Sequence, residues 1–324
     1  MPQRRLGADG KRWLPGSVNT LVAERRPGQK LVYRRPRKVS WGTRIAAVLM
    51  LGLAGVGFGG FLLVILPKQS ADLGTTAAAQ VVAAQHSTGQ VGRSVTTLWG
   101  GITPTGSVLL SPDKVTAGLA AAQAAEKAAD AANTDIQAGL AVLLQADGIP
   151  FQLSPPPYIA PDRATLGHLD KVVQSSRRLA YAASLQFAIA QHAQQDQASV
   201  AGTLKPALAA RNWVLVARTA ATLKDDLKAQ VDLAATPEAL MDPAWGKWFD
   251  ALASYDYTAQ QYALAESSGQ SSAAQGLRRT LDQQDAQVAA AWSAAVAGNA
   301  AWQHSTIQPI LDSLAKELAT GHAA

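Results

Sequence analysis

The sequence predicts an all-α protein: one transmembrane helix, then an extracytoplasmic antiparallel bundle of long, alanine-rich helices. Three observations carry this. An uncharged apolar run lies near the N-terminus, and most of the remaining chain spaces its small and apolar residues alternately three and four apart. Prolines placed just behind Ser, Thr or Asp punctuate those runs where helices begin.

Residues 1–43 hold Pro2, Pro15, Pro27 and Pro36, scattered charges and no sustained apolar period, which predicts a disordered basic tail. Eleven Lys and Arg residues stand there against Asp9 and Glu24. The chain's net charge of +6 therefore averages a basic tail with an acidic remainder. That split makes the positive charge a topological signal rather than a nucleic-acid footprint. Arg34, Arg35, Arg37, Lys38 and Arg44 are the expected contacts to anionic lipid headgroups.

Residues 44–66 form the expected signal anchor. Ile45 to Leu66 contains no charge, and 22 residues at about 1.5 Å each span roughly 33 Å, enough for a hydrocarbon core of about 30 Å. The basic side of the run is N-terminal, so the positive-inside rule puts the tail in the cytoplasm and the C-terminal domain outside. The run exceeds a cleaved signal's apolar stretch, and Leu66-Pro67-Lys68-Gln69-Ser70-Ala71 is a poor cleavage site. Gly52, Gly55 and Gly59 make a small-residue face that fits dimerisation in the membrane.

Residues 67–110 are expected to be a juxtamembrane helix and a linker. From Thr88 the chain turns β-branched, and Gly100-Gly101 reads as a hairpin turn or an irregular linker, with Trp99 exposed. Residues 111–324 form the helical domain. Ser111-Pro112 opens a helix to Asp147 with the seam Val115, Gly118, Ala122, Ala125, Ala129, Ala132, Ile136, Gly139 and Leu143. The triple proline 155–157 separates it from a helix over 162–201. A third helix runs over 203–234, and Asp242-Pro243 starts a fourth that ends at Ser267-Ser268-Gly269. The last begins near Ser272, and Pro309 should kink or break it.

No motif for catalysis, nucleotide binding or metal ligation appears. The absence of cysteine excludes disulfides, thiolate metal sites and a cysteine nucleophile. His86, His168, His192, His304 and His322 form no Glu-x-x-His or H-E-x-x-H spacing, and His192 with Asp196 reads as an exposed polar pair. No cofactor is expected. Trp245, Trp248, Tyr255 and Tyr262 share one helical face, read as core, with an aromatic ligand face as the alternative. The predicted function is a non-enzymatic scaffold or interaction protein on the outer face of a bacterial cytoplasmic membrane, with a protein partner or a second copy of itself. A ligand-binding sensor ectodomain is the alternative, and an enzyme with an unrecognised site the third reading.

Overall fold

A computed structural model describes residues 41–60, 64–102, 106–149 and 154–323, and every regular element among them is helical. Helix α1, Trp41–Gly60, is apolar on all sides, so Val48, Leu49, Met50, Leu51, Leu53 and Val56 are exposed. Residues 61–63, which belong to the apolar run, lie outside the described residues, as does the tail 1–40. Among the described residues no helix is long and apolar enough to cross a membrane. The expected single span therefore draws no support from these helices.

The second unit, Gly59–Ala324, holds α2 (Leu66–Ile102), α3 (Pro112–Asp147), α4 (Ile159–Ser199), α5 (Lys205–Ala209), α6 (Trp213–Ala234), α7 (Pro243–Ser267), α8 (Ser271–Trp302) and α9 (Gln308–Ala323). Two up-and-down groups share one continuous core: α2, α3 and α4 form the first, and α6, α7 and α8 the second. The C-terminal part of α4 continues into the second group, while α9 returns to pack on α2 and α4. Cross-helix pairs fix the directions. Arg177 meets Asp130 at 3.3 Å and Arg163 meets Asp147 at 3.3 Å, so α3 and α4 are antiparallel.

The first group is built on small residues. Ala122, Ala125, Ala129 and Ala132 are buried along α3, as their spacing predicts. With no large side chains on that seam, neighbouring helices must approach closely to exclude water. At Gly118 an added Cβ would collide with the Phe187 ring, and at Gly139 it would lie 2.8 Å from Leu166 Cδ1. These glycines are sockets for large residues on α4.

The hairpin expectation fails. Residues 88–102 are helical and the described residues contain no strand. Val81, Ala84, Thr88, Val91, Val95, Trp99 and Ile102 keep three-and-four spacing and are buried together. That burial overrides the β-preference of Val95, Thr96 and Thr97. Trp99 is not exposed but fully buried, and its indole N–H donates to the Leu179 carbonyl at 3.1 Å. Only a short 3₁₀ turn, Ser107–Leu109, separates α2 from α3 in the described part of the expected linker.

Prolines also act differently from expectation. A helix interior tolerates proline poorly, because the ring crowds the preceding turn and its missing N–H breaks a hydrogen bond. Here a widened π turn precedes each of three prolines: residues 64–65 before Pro67, Val200–Leu204 before Pro206, and Gln303–Ile307 before Pro309. Such turns absorb an extra residue without ending the helix. The break expected before Thr203 accordingly falls at Ala210–Asn212, where Asn212 Oδ1 accepts the Leu215 N–H and starts α6.

Candidate functional site

The aromatic face of α7 is the first place to seek a ligand. Trp245, Trp248, Phe249, Tyr255 and Tyr262 are all buried. Trp292 of α8 fits between the two tryptophans, with ring centroids 5.4 Å from Trp245 and 5.0 Å from Trp248, both edge-on. Edge-to-face rings fill space densely and leave no slot for a planar ligand. The Trp245 indole N–H donates to Asn299 Oδ1 at 3.3 Å, and Trp213 packs edge-on against Tyr262 at 5.3 Å. Burial and acidic neighbours, Asp285 foremost, push the Tyr255 hydroxyl up to about 12. The face reads as core.

Surface hollows near this face are open grooves. One of about 540 Å³ is lined by Val231, Leu240, Met241, Lys247, Asp250 and Trp302, among others. Another, about 410 Å³, has Lys224, Lys228, Asp232 and Tyr257 on its walls. Neither is lined by Trp245, Trp248, Tyr255 or Tyr262. Beside the first groove, Leu240 adopts a left-handed backbone with φ 46°, a conformation that crowds a side-chain Cβ. Buried Gln186 holds that loop by donating to the carbonyls of Ala239 at 3.0 Å and Leu240 at 2.6 Å.

The chemically distinctive place is one the sequence reading missed. Asp196 of α4 is buried, not exposed as expected, and its Oδ2 accepts from Gln230 Nε2 of α6 at 2.6 Å. Its neighbour His192 is exposed, so the two do not form the expected surface pair. Asp256 of α7 is fully buried, and neither carboxyl oxygen has a hydrogen-bond partner. Burial, reinforced by the charge of Asp196, pushes the Asp256 carboxyl up to about 8. Burial likewise raises Asp196, against the lowering effect of the Gln230 hydrogen bond. The signal available in the sequence was weak: Asp256 simply occupies a position beside Tyr255 on the inward stripe.

The histidines, from which no site was expected, and the remaining expected residues scatter. His86 and His304 are exposed, and His168 sits on the opposite group with Nε2 2.8 Å from the Glu317 carbonyl of α9. No three acids or histidines among the described residues converge in a way that could hold a metal ion. Gly52, Gly55 and Gly59 face open space, with nothing within 4 Å of an added Cβ. Arg34, Arg35, Arg37 and Lys38 lie outside the described residues. Arg44 falls within α1. No family model matches the chain, and neither curated proteins nor solved structures yield a match.

Proposed function

We propose that this chain is a non-enzymatic helical scaffold or interaction protein, anchored by a single signal-anchor helix, whose C-terminal domain meets its partner outside a bacterial cytoplasmic membrane. The observation that carries the scaffold reading is the solid aromatic interior of the second group. Trp245, Trp248 and Trp292 occupy one another's space, which a sensor pocket would need to leave free. The anchor rests on the 22-residue apolar run 45–66 and its basic N-terminal flank. On this reading Arg34, Arg35, Arg37, Lys38 and Arg44 meet anionic headgroups, and the glycine face at 52, 55 and 59 is free for a second copy.

Topology reporters test the anchor. A reporter active only outside the cytoplasm should work when fused after Ala324 and fail when fused before Met1; the reverse pattern rejects the orientation. Crosslinking in native membranes tests the scaffold. Recovery of a defined protein neighbour or of a dimer is expected, and a chain that crosslinks to nothing contradicts the reading.

A further inference from the structure

Three atoms inside the second group face the same shortage. Asp256 Oδ1, Asp256 Oδ2 and Gln230 Oε1 are buried without partners, and all three are hydrogen-bond acceptors when the acid is ionised. Gln230 spends an amide N–H on Asp196, so its unpaired Oε1 is held on the same carboxamide, beside that acid. No ion pair joins Asp196 or Asp256 to a basic residue among the described ones. Buried acceptors with no donor cost free energy that a protein must recover. A proton supplies the missing donor with no added ligands, whereas a metal ion would need a fuller set of oxygens than two acids and one amide.

We propose that Asp196, Asp256 and Gln230 form a proton-operated latch, in which a proton held by the acid pair keeps α7 docked against α6, which Gln230 ties to α4, and its loss loosens the second group. Once protonated, Asp256 becomes a donor and the pair carries one negative charge instead of two. Charges reach the pair chiefly at Asp196. Asp196 itself and His192 stand on α4, and Asp226 of α6 acts on Asp196. On α8, Asp285, Arg278 and Asp282 act on the adjacent Tyr255. No charge but that of Asp196 acts strongly on Asp256.

The direction of the pH effect follows. An unfolded aspartate releases its proton near 3.8, while the folded Asp256 keeps it to about 8. The folded state therefore binds more protons throughout that window, so stability falls as pH rises through it and levels off above. Carboxylates held by ion pairs behave the opposite way.

The test uses the full-length chain in detergent micelles. The melting temperature should fall by about 5 °C or more between pH 5 and pH 9, with a red shift of tryptophan emission as Trp245, Trp248 and Trp292 become wetter. Asp256→Asn keeps a donor at every pH and should remove most of both changes. Infrared spectra should show a protonated carboxyl band at pH 6 that disappears by pH 9.5, a readout that decides the matter even where Asp256→Asn does not fold. A flat melting profile, or no such band at pH 6, overturns the latch. So does restoration of the pH 9 melting temperature by calcium chloride, which would make the occupant a metal cation.

Discussion

The two helical groups solve one packing problem with opposite materials. In α2, α3 and α4 the helices come close because alanine and glycine line the seam, and Gly118 and Gly139 receive Phe187 and Leu166. In α6, α7 and α8 the space between helices is filled by the large rings of Trp245, Trp248, Trp292 and Phe249. Close alanine seams have little room for polar groups, and the orphans there are neutral hydroxyls such as those of Thr88 and Ser176, along with the Glu126 carboxyl. The aromatic group encloses Asp256 with no counter-charge. The second group thus carries the one acid here whose two carboxyl oxygens are both buried and unpartnered among the described residues, and it is the fault line along which that group can open.

That contrast can be broken most directly at Trp248, which is 2 % exposed. Trp248→Ala should cost about 3–5 kcal/mol, through lost transfer energy and the cavity left among three other rings. Chemical denaturation measures it. A variant with an unchanged midpoint would mean that the ring lines a ligand site. In the alanine group the damage comes from adding atoms. Gly118→Val should destabilise by about 1–3 kcal/mol, since Phe187 must leave its socket. Differential scanning calorimetry should find the loss, and the pH profile should keep its shape, because Asp256 lies on α7 of the other group. The smallest effect belongs to the surface pair Lys205–Asp285, 2.9 Å apart with both side chains about half exposed. Lys205→Ala should cost less than about 1 kcal/mol and lose that small effect at high salt. A larger cost would show that this bridge between α5 and α8 helps close the second group.

Much of this was legible in the spacing of small residues. The α3 seam is buried at eight of its nine expected positions, with Gly118 half-buried, and the α7 stripe is buried throughout. Local composition misled at residues 88–102. Valines and threonines around paired glycines carry a strand signal, yet the three-and-four stripe ending in Trp99 and Ile102 runs through the same residues and decided the outcome. Proline misled in another way, because sequence periodicity does not reveal that a π turn will absorb it. The acid pair was illegible for a simpler reason. Asp196 and Asp256 are 60 residues apart on different helices, and beyond the place of Asp256 beside Tyr255 nothing in either neighbourhood marks an aspartate as buried.

The π turn at Gln303–Ile307 also sets an angle. Buried residues Ala295, Asn299, Gln303, Ile307 and Leu311 step by four across the junction of α8 and α9. In an uninterrupted α-helix each such step advances the side chain by about 40°, so four steps would carry the stripe about 160° around the axis. One absorbed residue takes back about 100° of that. The rod is therefore indexed like a keyed shaft, with α8 turned toward α7 and α9 turned toward α2 and α4. Removing a single residue there would leave both helices intact while rotating buried Leu314 away from the core.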